Sequence, residues 1–263
     1  RWPSCRPPSM VAWGEVARRG ERWLLPSECL VCQQPVVEPD EPLVCAGCRV
    51  QWRALPEPRC AICGEPAPLG LACRLCAQWA AGIGPVQSAV FLDDRVRPLV
   101  HRFKYLGWWR LADAFAVRMA PLLAGRPDAD LVPIPLAAGR RRQRGYNQAE
   151  VLAQALGRRA GWPVRPERLV RCRETPTQTR LAPEARLANL AEAFGAIPSA
   201  RGVILVDDVF TTGATLVSAA GALLDAGAPQ VEAITFARAE PPLVGAAARL
   251  RPLTHSRWSE EPV

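Results

Sequence analysis

Eight cysteines stand as four CxxC pairs: Cys29/Cys32, Cys45/Cys48, Cys60/Cys63 and Cys73/Cys76. Successive pairs are separated by 12, 11 and 9 residues. A CxxC turn presents two thiolates from one tight knuckle, and four thiolates complete a tetrahedral zinc site. Sequential pairing closes the shortest loops. It gives C-x2-C-x12-C-x2-C followed by C-x2-C-x9-C-x2-C, two structural Zn2+ sites of ribbon type; other pairings stay open. Disulfides and redox chemistry compete for the same residues. Four vicinal pairs in tandem suit neither a secreted disulfide framework nor a lone redox motif. Residues 28–80 are Pro-rich with little apolar periodicity, so the metals are expected to supply the fold there.

A second constellation lies far downstream, in Val203-Ile-Leu-Val-Asp207-Asp208-Val-Phe-Thr211-Thr212-Gly213-Ala214-Thr215. The apolar run 203–206 reads as a strand covered on both faces. In an open α/β sheet the ligand crevice lies beyond the carboxyl ends of the strands. Two acids at that spot are costly unless they meet a ligand, a metal or a basic partner. The hydroxyl- and Gly-rich turn that follows opens a helix, whose free N–H groups suit a phosphate. Acids for sugar hydroxyls beside a phosphate cradle would take a ribose 5-phosphate. An ordinary strand–turn–helix with capping residues accounts for one Thr or Asp, not for the whole string.

Alternating elements must carry this string. Strand-like runs at Ser88–Leu92, 131–135, 203–206 and Val231–Phe236 alternate with helical patterns at 95–106, 108–124, 146–161 and 214–226. That alternation predicts an α/β fold with a mostly parallel sheet and helices on both faces, preceded by the small cysteine module. The chain divides into an extension (1–27), a double zinc ribbon (28–80), the α/β domain (81–240) and a tail (241–263). Residues 13–24 could form a short amphipathic helix.

VILVDDVFTTGAT closely resembles the signature of type I phosphoribosyltransferases, which bind 5-phosphoribosyl 1-pyrophosphate (PRPP). The four CxxC pairs, FKYLG (103–107), VPIPL (132–136), RRRQRGYNQ (140–148), TPTQTRL (175–181) and RLANLAEAF (186–194) accompany it in that order. Together they resemble the ComF family, competence-associated proteins with an N-terminal double zinc ribbon. The resemblance covers roughly residues 28–238. It implies a type I phosphoribosyltransferase-like sheet, with Asp207 and Asp208 on ribose and Thr211, Thr212, Gly213, Ala214 and Thr215 on phosphate. Lys104, Arg140, Arg142, Arg144 and Tyr146 become pyrophosphate or phosphate candidates. Gln178, Thr179 and Arg180 become candidates in a mobile loop, and Mg2+ is expected with PRPP. The implied reaction displaces pyrophosphate from C1 of PRPP; no general base and no nucleobase pocket is recognisable.

Charge sharpens the picture. The chain carries 33 basic and 25 acidic residues, +8 in all, and Lys104 is its only lysine. From 138 to 186 there are twelve Arg and four Glu, an excess equal to that of the whole chain. Such an edge serves PRPP or a polyanion such as single-stranded DNA. Tyr146 and Trp162 are the only aromatics within it, so a base-stacking platform is not expected. A solvated charge run is the plain alternative for the Arg cluster. Cys172, between Arg171 and Arg173, reads as a small strand residue rather than an activated thiol.

No run approaches the roughly 18 apolar residues of a spanning helix, and no leader pattern is visible. A cytoplasmic protein without membrane insertion is therefore expected, with Met10 as its natural start. The favoured function is a ComF-like protein of DNA uptake or transformation that binds PRPP, with single-stranded DNA and competence-machinery proteins as partners. The competing readings are a nucleotide-salvage or biosynthetic phosphoribosyltransferase, and a non-catalytic PRPP sensor or DNA- and protein-binding scaffold.

Overall fold

A computed structural model describes residues 28–36, 43–66, 73, 75–77, 79–126, 128–172 and 193–239. The expected helix at 13–24, the loop with Gln178, Thr179 and Arg180, and the tail after Glu240 lie outside these residues.

Each ribbon begins with the same local device. Cys29 N donates to Gln34 O and Gln33 N to Cys29 O; Cys60 N donates to Glu65 O and Gly64 N to Cys60 O. Antiparallel bridges Glu28–Pro35 and Arg59–Pro66 close the two turns. Both turns need a left-handed residue after the second Cys, met by Gln33 (φ 61°) in one and Gly64 (φ 69°) in the other. Gly64 has a second constraint, because a Cβ there would sit 2.6 Å from Val86 O. The second CxxC of the first ribbon runs into a single helical turn, α1 (Ala46–Val50), which contains Cys48.

Four parallel strands follow: β1 (Ile83–Phe91), β2 (Ala129–Pro133), β5 (Gly202–Phe210) and β6 (Val231–Arg238), in the order β1-β6-β5-β2. Between β1 and β2 lie α2 (Arg97–Tyr105) and α3 (Leu111–Met119), the latter running into a 3-10 turn at Ala120–Leu123. After β2 come α4 (Ala138–Arg144) and α5 (Gln148–Ala160). A short antiparallel pair, β3 (Leu169–Arg171) and β4 (Phe194–Ala196), stands apart from the main sheet. Helix α6 (Ala214–Asp225) connects β5 to β6.

The apolar run of β5 is shared between two cores, as strand alternation requires. Ile204 and Val206 face Leu111, Phe115, Leu152 and Leu156 of α3 and α5. Val203 and Leu205 face Leu216, Ala219, Ala220 and Leu223 of α6. The sheet is thus covered on both faces. The first core also takes in Cys29, Val44, Cys48 and Trp52 of the first ribbon. Trp52 meets Phe236 and Phe115 edge-on at 5.2 and 6.1 Å, and Phe115 stacks on Phe236 at 3.8 Å.

Three expectations change. Strand β5 runs on through Asp207 and Asp208 to Phe210, because β6 continues to pair with it (Asp207 with Thr235, Phe210 with Arg238). The cluster Arg140–Arg144, outside the helical patterns read from the sequence, forms helix α4. Helix α3 starts at Leu111, since Trp108–Arg110 form a turn held by Leu111 N on Trp108 O. Cys172 follows β3 and is exposed. No helix among the described residues is long and apolar enough to cross a membrane.

Candidate ribose-phosphate site and tetracysteine centres

The cysteines gather as two groups in sequential pairing, Cys29/Cys32/Cys45/Cys48 and Cys60/Cys63/Cys73/Cys76. Within each group the four Sγ atoms lie within 4.8 Å of one another. Tetrahedral Zn–S bonds of about 2.3 Å imply sulfur separations of about 3.8 Å. Observed pairs stand at 3.7 Å (Cys32–Cys45), 3.5 Å (Cys60–Cys76) and 3.4 Å (Cys63–Cys73). The donor sets therefore fit zinc. One thiol in each group is favoured to ionise, while burial pushes Cys45, Cys48, Cys63 and Cys76 up. Desolvation works against ionising Cys29, yet the N–H groups of Cys32, Cys45 and Val31 bring it down to about 6. Cys60 behaves alike, down to about 7 against desolvation, aided by the N–H groups of Cys63 and Ile62.

At the carboxyl edge of the sheet, β5 outruns β2, whose pairing ends at Pro133–Val206. That leaves Asp207 and Asp208 at an open edge. Asp207 Oδ1 accepts the Asp208 N–H at 2.8 Å. Asp208 is buried, and its Oδ2 has Lys104 Nζ at 3.1 Å as an ion-pair partner but accepts no hydrogen bond among the described residues. Desolvation, then the charge of Asp208, pushes the Asp207 carboxyl up to about 7, while Lys104 pulls it down. A buried oxygen with spare lone pairs and a half-neutralised partner fits a sugar hydroxyl or a hard cation.

Gly213 follows, with φ 78°, and N-caps α6. Gly213, having no side chain, supplies no capping hydrogen bond of its own. The first N–H groups of α6 are those that an α-helix leaves without an internal partner. Thr211 is exposed, Thr212 and Thr215 are half-buried, and Gly213 and Ala214 are buried. Such a helix N-terminus is chemically suited to an anion such as phosphate.

Three sequence strings converge to place Lys104. Tyr146 donates its hydroxyl to Phe103 O. Gln148 Nε2 donates to Lys104 O at 3.4 Å. Asn147 caps α5, accepting from Ala149 N at 3.2 Å, and donates to Ile134 O at 3.1 Å. FKYLG, VPIPL and GYNQ are thereby stitched together. Burial pushes the Tyr146 hydroxyl up to about 12, keeping it a donor.

The arginines divide. Arg144 donates to Gln148 Oε1 (2.9 Å) and Tyr105 Oη (3.1 Å) and lies 4.6 Å from the Tyr105 ring centroid. Arg140 and Arg142 lie on the same helix, α4. Arg168 is drawn to buried Asp130 (2.7 Å) at the opposite, amino end of β2, so part of the basic excess is structural. Charge counting also missed an aromatic neighbour: Tyr105, Leu106, Trp108 and Trp109 are exposed, and Tyr105 touches Arg144. Trp109, Arg141, Tyr146, Gln154 and Arg158 are among the residues lining a groove of about 330 Å3, to which residues 207–215 do not contribute.

Similarity to known proteins agrees with this layout. A double zinc ribbon domain matches residues 21–77. Competence protein ComFC of Bacillus subtilis (strain 168) is 31% identical over 214 residues, 77% of this chain and 87% of the relative. The chain belongs to the ComF family. DNA utilization protein YhgH of Salmonella typhi is 33% identical over 79% of this chain and 95% of its own. Competence protein F of Haemophilus influenzae is 31% identical over 74% and 90%. Among solved structures, adenine phosphoribosyltransferase from Thermoanaerobacter pseudethanolicus is similar at 17% identity and TM-score 0.31, over 51% of this chain and 83% of that one.

Proposed function

We propose that this ComF-family chain binds a ribose 5-phosphate group, as PRPP with Mg2+, and acts in the handling of incoming DNA. The observation that carries the first half is the glycine-capped N-terminus of α6 directly behind the Asp207–Asp208 pair. The α6 N–H groups with Thr211, Thr212 and Thr215 hold the 5-phosphate. Asp207 and Asp208 accept the ribose hydroxyls. Lys104, through its ion pair with Asp208, holds that carboxylate in register and places a cation beside the sugar. Mg2+ bound with PRPP supplies neutralisation of pyrophosphate charge. Positioning and charge stabilisation are the means of catalysis such a site offers. Calorimetric titration with PRPP and Mg2+ tests the site. Binding is expected for the wild type, and its loss in Asp207→Asn/Asp208→Asn; equal affinity in both proteins sinks the assignment.

The second half rests on the relatives' names, which speak of competence and DNA utilization, and on one surface. Exposed Tyr105 touches Arg144 of the Arg-rich helix α4, and Trp109 lines one groove with its Arg141. Exposed aromatics for bases and Arg for phosphates are what single-stranded DNA requires. Affinity for a short oligonucleotide should fall with salt, and Trp109→Ala should weaken it by roughly 1–3 kcal/mol. A salt-independent affinity, unchanged in Trp109→Ala, removes this surface from the reading.

A further inference from the structure

Arg238 closes β6 with 1% of its surface exposed. A guanidinium buried so deeply is costly unless its donors are matched. Its Nη1 donates to Cys63 O at 2.7 Å, and its Nε and Nη2 reach Glu65 Oε2 at 3.0 and 2.5 Å. All these acceptors belong to the second ribbon turn, one of them on a metal-ligating residue. The guanidinium also lies 4.1 Å from the centroid of the Phe210 ring.

Phe210 ends β5 and points the connection onward. A Cβ on Gly213 would stand 3.0 Å from Phe210 Cζ and 2.9 Å from Trp79 Cζ2, so the two rings enclose Gly213. Trp79 in turn donates its backbone N–H to Cys76 O at 3.1 Å. Two packed paths thus run from one tetracysteine centre to the cap of α6. One passes Cys63, Arg238 and Phe210; the other passes Cys76 and Trp79.

The geometry points to Arg238 and Trp79 as positioning residues that couple the second zinc site to the phosphate-binding turn, so that zinc retention and ribose 5-phosphate binding favour each other. This rests on the reading of residues 211–215 as that turn. Zinc orders the knuckle that seats both side chains, and the seated rings hold Gly213 in its left-handed conformation. Coupling of this kind is reciprocal: whatever factor zinc contributes to ligand affinity, the ligand contributes to zinc affinity.

The reciprocity gives a readout independent of catalysis. Zinc transfer from the full zinc-loaded chain to a chromogenic chelator is followed with and without ribose 5-phosphate, whose binding is measured in parallel by calorimetry. In the wild type, the release of about one of the two zinc ions should slow by roughly fivefold or more at saturating ribose 5-phosphate. Trp79→Ala, which leaves only the Arg238–Phe210 path, should reduce that slowing and weaken ribose 5-phosphate binding. Trp79→Phe, which keeps a ring against Gly213, should preserve both. Ribose 5-phosphate that binds the wild type yet leaves both release rates unchanged overturns the coupling and spares the site. Equal slowing in Trp79→Ala overturns it too. Absence of any ribose 5-phosphate binding overturns the phosphate-turn reading and the coupling together. The wild-type comparison needs no variant, so it decides even where Trp79→Ala fails to fold.

Discussion

Asp207 and Asp208 are adjacent in the chain and opposite in circumstance. Asp208 has a cation 3.1 Å away, whereas desolvation and its neighbour's charge raise Asp207 to about 7. An unfolded Asp loses its proton near about 4. Between about 4 and about 7 the folded chain therefore holds a proton that the unfolded chain has released. Stability from this group falls across that window as pH rises and is lowest above 7. Urea unfolding of Asp207→Asn between pH 5 and 8 should show a flatter profile than the wild type. Ribose 5-phosphate affinity should follow the same group: it rises with pH up to about 7, approaching roughly tenfold per unit below it, and then levels. An affinity independent of pH would show that the Asp207 carboxylate is not what the sugar meets. Lys104→Gln removes the cation paired with buried Asp208. A cost of about 1–3 kcal/mol is expected in unfolding measurements.

Among the elements, β5 and α6 do most to shape the site. Asp is a poor strand former, yet β5 continues through both acids because β6 supplies a ladder up to Phe210–Arg238; tertiary pairing overrides local preference. The turn that follows tolerates only glycine at position 213. Gly213→Ala meets Trp79 and Phe210 below 3.1 Å and demands φ near 78° of a residue with a Cβ. Left-handed strain of about 1–3 kcal/mol is expected. The readout is weakened ribose 5-phosphate binding with both zinc ions still present by metal analysis. The cap of α5 acts more locally, since Asn147 fixes the helix start and, through Ile134 O, the loop after β2.

For the molecule as a whole, the ribbons are not an appendage. Trp52 and Val44 complete a core that includes Phe115 and Phe236 of the sheet domain. Trp52 also leaves Arg53 to accept the Phe91 N–H at the end of β1. In small metal modules, metal binding energy is folding energy. Stripping zinc with a chelator should therefore lower the melting temperature of the whole chain. Tryptophan emission should shift to the red as Trp52 meets water. A melting curve unchanged by zinc removal would show the sheet domain to be self-sufficient.

Contiguous chemistry was readable from residue order. The CxxC turns, the DD-to-TTGAT string and the strand–helix alternation are each local, because a knuckle, a helix cap and a strand period involve neighbours in the chain. The sequential cysteine pairing also followed, since the shortest loops cost least to close. The amino-acid order did not disclose what meets across distance. Lys104 finds Asp208, Arg238 finds Glu65 173 positions away, and Arg168 is taken up by Asp130 rather than by ligand. Tyr105 and Trp109, outside the basic stretch by position, arrive beside its Arg144 and Arg141 by packing. Hydrophobic periodicity states which face of an element is covered, not by what; only the folded sheet, with helices on both sides and a ribbon against its end, chooses those neighbours.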